Sequence, residues 1–138
     1  MFNVFADINW LAVIASLLVF AVLGYVYFTF LVAKPYKVAL GNQNRDMPAG
    51  GALLTAGPLL PNLIVVITSA VLLRALNVVT IGDAIAFGLI VGIGYLTAHT
   101  LTIALNPNFP RPFLYTILNA PYFLICILLT SIILTAWR

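Results

Sequence analysis

Long apolar runs alternate along this chain with short polar breaks. Residues 8–33, 52–76, 81–105 and 113–137 form four such runs, and each exceeds or matches the roughly 20 mostly apolar residues that a helix needs to cross a bilayer core. In the first three, the only acids or bases are Arg74 near the end of the second, Asp83 at the start of the third, and His99. None of the runs shows the strict alternation of a barrel strand. Backbone groups in lipid must be hydrogen-bonded within the segment, so each run predicts a transmembrane helix. The predicted fold is an all-α membrane protein, an antiparallel bundle of four transmembrane helices, forming one domain over residues 1–138.

The breaks leave no room for a soluble domain. Residues 34–51 (KPYKVALGNQNRDMPAGG) are the longest, residues 77–80 a tight connection, and residues 106–112 (NPNFPRP) a segment stiffened by prolines. No internal repeat is visible. The N-terminus has no basic leader and no A-x-A cleavage pattern, so it reads as a retained first span. Asn3 and Asp7 precede that span, and Trp10 and Trp137 suit interfacial anchoring.

Composition sharpens the picture. Of 138 residues, 64% are hydrophobic and 7% charged, where soluble domains carry about 25% charge. A surface of water-soluble type cannot be covered with so few charges, and the bilayer is the expected principal partner. The small basic excess suits anionic headgroups, and without a basic stripe it gives no sign of nucleic acid. Lys34, Lys37, Arg45 and Arg111 flank one side of the spans, against Arg74 and Arg138 on the other. This balance predicts loops one and three in the cytoplasm and both termini outside. Cys126 is the sole cysteine, which excludes an intramolecular disulfide and a C-x-x-C centre and reads as a small buried hydrophobe.

Lipid tails are as apolar as leucine, so small and polar residues mark the faces where membrane helices meet. In span three Gly88, Gly92, Tyr95, His99, Thr102 and Asn106 recur at alternating steps of four and three, predicting one inward face. Leu89, Ile90, Ile93, Leu96 and Ile103 fall off that stripe, towards lipid. The G-x-x-x-G of Gly88 and Gly92 predicts close packing within the bundle. In span four Tyr115, Asn119, Tyr122 and Cys126 share a face that continues to Thr130, and Pro121 frees the Ile117 carbonyl, predicting a kink. The matching stripe of span one is Asn9, Ser16, Phe20, Gly24 and Tyr27. Span two opens TAGPLLPN, with two readings: prolines in a first turn, where a missing donor is harmless, or a broken helix whose backbone binds a ligand.

Antiparallel spans then bring polar side chains to one depth. Tyr27, Asn62, His99 and Asn119 each lie about 9 Å inside one boundary, at 1.5 Å per residue, with Tyr95 and Tyr122 a turn deeper. These six form the candidate polar cluster; Gly24, Gly88 and Gly92 are the candidate packing positions. An intramembrane histidine is a functional candidate by default, and its bland alternative is a neutral imidazole fixing helix register. A zinc site needs three or four ligands, which the spans do not supply, so no metal and no cofactor is expected; if haem or a pigment bound, His99 would be the ligand. The serines have no His–carboxylate partner, and Asp83 reads as a capping residue with Thr80. The expectation is a non-catalytic protein acting by helix packing, with itself as a homo-oligomer or with other membrane subunits as an accessory component. The alternatives are a small oligomeric transporter or channel constricted around His99, and a pigment or haem carrier through His99.

Several stretches carry a resemblance. INWLAV at the start, the Gly24–Tyr25–Tyr27 segment and AKPYKVALG after it, GLIVGIGYLTAHTL in span three, and RPFLYTILNAPYFL in span four are similar to a bacterial membrane family, the domain of unknown function seventeen-sixty-one. The chain departs from that pattern at Phe123, where the family often has histidine, and at NPNFP in loop three. The resemblance implies four helices and placement in the bacterial inner membrane, and it implies no activity.

Overall fold

The computed structural model of the chain describes residues 3–42, 44, 51 and 56–138. After a 3-10 turn at Phe5–Asp7, helix α1 spans Trp10–Leu31, the short α2 Ala33–Ala39, α3 Leu59–Ala75, α4 Ile81–Ala104 and α5 Pro112–Ala136. Helices α1, α4 and α5 are long and apolar enough to cross a membrane. Helix α3 is apolar but has 17 residues, a length of about 26 Å at 1.5 Å per residue. The start of the second predicted run, residues 52–55, lies outside the described residues, as does Arg45.

Local chemistry sets the helix ends. Asn9, expected on the inward stripe of span one, instead caps α1: its side-chain oxygen accepts from the amides of Leu11 at 3.0 Å and Ala12 at 3.3 Å, filling donors that the first turn leaves open. Thr80 caps α4 by accepting from the Asp83 amide at 3.0 Å, and its hydroxyl donates to the Asp83 carboxylate at 2.7 Å. A full capping box would send the acidic side chain back to the cap amide; here Asp83 engages the hydroxyl. Pro112 opens α5 at its first turn, and Pro61 sits in the first turn of α3, following Pro58 at the cap. That placement agrees with the first-turn reading of the TAGPLLPN prolines.

Two helices end in the same way. Gly41, at φ 70°, closes α2 with amide bonds from Gly41 to Val38 and from Asn42 to Lys37. Asn77, at φ 53°, closes α3 with bonds from Asn77 to Arg74 and from Val78 to Leu73. Both are Schellman closures, which need a left-handed residue that glycine, and less often asparagine, adopts readily.

Helix α5 is the shared neighbour, packing against α1, α2, α3 and α4, while α1 and α3 also pack on each other. Its core-facing side carries Thr116, Asn119, Tyr122, Cys126, Ile127, Thr130, Ser131 and Leu134. Ile8 and Asn9 just before α1, Leu73 and Arg74 at the end of α3, Leu134 in the last turn of α5 and Arg138 just beyond it line one small cavity. Helix α1 therefore runs opposite to α3 and α5. Gly88 lies against Leu128 and Ser131, and Gly92 against Leu124 and Ile127, so α4 runs opposite to α5. The alternating direction matches the sequence expectation, and loops one and three meet where Gly41 approaches Pro110. The arrangement is less symmetric than a closed four-helix ring, because α4 packs along its length on α5 and makes no comparable contact with α1 or α3.

The inward stripe predicted for span three holds only for its first half. Ala84, Phe87, Gly88 and Gly92 are buried, but Tyr95 is 70% exposed and His99 and Thr102 are exposed. The buried set resumes one position later, at Thr100 and Ala104. The reason is the π-helical segment Gly92–Thr97 within α4. Each i→i+5 turn accommodates an extra residue, which rotates the rest of the helix by about 100° relative to a 3.6-residue period. The alternating four-and-three step is replaced by a run of fours, and Tyr95 and His99 swing to the outer face.

Candidate functional site

The structure brings Tyr27, Asn62, Tyr122 and Asn119 to the end of the molecule shared by loops one and three, and leaves Tyr95 and His99 outside. Tyr122, 7% exposed, is the centre. Its hydroxyl donates to the Phe20 carbonyl at 3.0 Å, with the side chains of Asn62 and Cys126 nearby. Its ring stacks on Tyr27 at 6.1 Å and meets Phe28 edge-on at 5.2 Å and Phe20 edge-on at 6.2 Å. Offset and edge-to-face geometries of this kind are the favoured ones for aromatic pairs.

A second layer sits above the first. Tyr36, from α2, packs on Tyr115 at 5.7 Å and on Phe28 at 5.1 Å, with its hydroxyl near Tyr115 and Asn119. Asn119 is 4% exposed and donates to the Tyr115 carbonyl at 2.7 Å. Phe109 from loop three closes on Tyr115 at 4.6 Å. Burial holds the Tyr36 phenol above the ordinary tyrosine range, and the adjacent Tyr115 phenol pushes it further in the same direction.

The local sequence explains the convergence. The π-helical turn Tyr27–Leu31 ends α1 and places Tyr27 and Phe28 against α5; the Lys34–Pro35–Tyr36 segment then re-enters helix as α2. Gly24 faces Tyr122, whose hydroxyl lies 3.0 Å from where a Cβ would stand. All three packing glycines thus face α5: Gly24 at Tyr122, Gly92 at Leu124 and Ile127, Gly88 at Leu128 and Ser131. Phe28 and Tyr36 join the cluster without having been expected there from the sequence. Their signal was aromatic residues bracketing the end of span one, at the depth of Tyr115.

Chemically the cluster offers neutral phenols, amides and ring faces. The rings pack on one another, so side chains of the protein itself fill the site. Among the described residues, no three of His, Cys, Asp and Glu come together in a group able to hold a metal ion. His99 is separated from Asn119 and Tyr122 by the turn of α4, which removes it from the polar constriction expected from the sequence. No curated protein and no solved structure matches the chain. A family model does: residues 11–135 match the family described as "Protein of unknown function (DUF1761)", covering most of the sequence, and the chain belongs to that family.

Proposed function

We propose that this chain is a non-catalytic, four-span integral membrane protein of the bacterial cytoplasmic membrane that acts by packing with other membrane helices, as a homo-oligomer or an accessory subunit. Helix α3 and the residues before it would be the second span. Loops one and three would face the cytoplasm, in keeping with Lys34, Lys37 and Arg111 against Arg74 and Arg138.

The observation that carries the reading is where the polar groups go. Near one end the Tyr122 hydroxyl and the Asn119 amide are engaged by backbone carbonyls, and the Tyr36 ring packs on Tyr115 and Phe28, which supports a role in holding helices together. Helix α4, by contrast, has one main neighbour within the chain and exposes Tyr95, His99 and Thr102 amid a largely apolar outer face.

Purification in mild detergent, with native mass and an absorbance spectrum on the same sample, tests this. A colourless oligomer or a complex with further subunits is expected. A monomer that carries a solute across liposome membranes would overturn the reading, as would visible absorbance lost in His99→Ala.

A further inference from the structure

The end of the molecule opposite Tyr36 holds a second group of polar side chains, and it is cationic. Arg74, in the last turn of α3, and Arg138, just beyond α5, line the same small cavity between α1, α3 and α5. Arg138 reaches over the end of α3: its Nη1 lies 3.5 Å from Oδ1 of Asn77, the residue whose amide donates to the Arg74 carbonyl at 3.0 Å. Among the described residues Arg74 has no hydrogen-bond or ion-pair partner for its side chain, and Arg138 has only that long contact. Asp7 is exposed and Asp83 is engaged by Thr80; neither lines the cavity. Each arginine suits the C-terminal end of its own helix, where a cation meets the dipole, but that account would let the two point apart. Two like charges brought to one opening repel, and an anion between them turns the repulsion into attraction.

The depth of the cavity selects the anion. Trp10 opens α1 and Trp137 follows α5 at this same end, and both are exposed. Tryptophans on a membrane protein gather at the level of the lipid headgroups, so the two guanidiniums stand at phosphate depth. Ala70 and Leu134, a turn further into the bundle, also line the cavity, and apart from Asn9 the rest of its lining is apolar. The cavity is about 10 Å³, room for one water molecule, so a phosphate group would lie across its mouth and not within it.

We propose that Arg74 and Arg138 together hold the phosphodiester of one anionic phospholipid, of the phosphatidylglycerol or cardiolipin class, at the mouth of this cavity. Guanidinium forks match phosphate oxygens two at a time, and basic pockets between membrane helices hold such headgroups. A zwitterionic headgroup fits less well, because its ammonium would stand beside two guanidiniums with no carboxylate on the lining to receive it. A free hydrated anion gains nothing from the apolar remainder of the lining, whereas a lipid continues beyond its phosphate into glycerol and acyl carbons. The site requires only that the chain lies in a bilayer, so it stands or falls separately from the oligomer and accessory-subunit readings.

Native mass spectrometry from mixed micelles tests it, with phosphatidylglycerol titrated against a phosphatidylcholine background. One phosphatidylglycerol per chain is expected to be retained in preference to phosphatidylcholine. Arg74→Gln and Arg138→Gln are each expected to weaken that retention about tenfold, the worth of one charge-assisted hydrogen bond. Lys34→Gln combined with Lys37→Gln, at the opposite end, should leave it unchanged. Arg138 follows α5 and is exposed, so its variant reads binding with the bundle intact. Equal retention of the two lipids would overturn the proposal, as would a loss in only one arginine variant or in neither. Complete displacement of the lipid by inorganic phosphate would assign the arginines to a free anion and overturn the lipid as the ligand.

Discussion

The Tyr122 hydroxyl reaches across from α5 to the Phe20 carbonyl of α1 at 3.0 Å, through a gap that exists because residue 24 has no side chain. It joins positions 102 apart in the chain and is shielded from lipid. Interhelical hydrogen bonds of this type contribute about 0.6 to 2 kcal/mol. Tyr122→Phe keeps the ring stacking and removes the bond. It should lower stability by about 1 kcal/mol in reversible unfolding in mixed micelles, and an unchanged midpoint would show the hydroxyl to be idle.

Gly88 and Gly94 give opposite expectations for one substitution. A Cβ at Gly88 would stand 3.1 Å from the Leu128 Cα, backbone that moves only if α4 and α5 separate. Overpacking of that sort costs about 1–3 kcal/mol, so Gly88→Ala should lower the thermal midpoint. Gly94→Ala meets open space and should be neutral, or stabilising by up to about 1 kcal/mol through helix propensity, when measured in detergent that keeps the protein monomeric. Equal losses at both positions would contradict the one-sided packing of α4 on α5.

Alkaline pH probes the upper layer. The Tyr36 phenol is held above its ordinary value in the folded protein, first by burial and then by Tyr115. Folding thus favours the protonated form. This contribution is complete below the unfolded-state pKa of about 10 and is lost progressively as pH rises above it. Unfolding midpoints followed from neutral to strongly alkaline pH should fall in that window, and Tyr36→Phe should make the fall shallower. An identical slope in the variant would remove Tyr36 from the account.

Cys126 is 0% exposed, in the centre of the core face of α5. A membrane-permeant maleimide should leave it unmodified in the folded protein and label it fully once sodium dodecyl sulfate opens the bundle. Labelling in the native state would mean that the core face of α5 is open to reagents.

Much of the architecture was legible in the chain. Run length announced the three membrane-length helices α1, α4 and α5 and the shorter apolar α3, and Thr80 and Asp83 announced a cap. Gly88 and Gly92 were correctly legible as a close contact because the helix is regular up to that point. His99 and Tyr95 were misplaced because periodicity arguments assume a constant 3.6 residues per turn, and nothing in GIGYLT reports where an i→i+5 turn will form. Asn9 was misread for a different reason: an asparagine one residue before a helix suits a cap as well as a stripe, and only the backbone decides. Tyr36 was overlooked because it belongs to a short helix outside the spans, and hydropathy has no signal for which aromatic residue folds back.

Helix α5 lies latest in the chain, yet α1, α2, α3 and α4 all depend on it for their packing. Gly24, Gly88 and Gly92 are notches shaped by side chains of α5, so they stay unfilled until residues 112–136 have been made. A chain interrupted before Pro112 would keep its helix-forming segments and lose the neighbour they share.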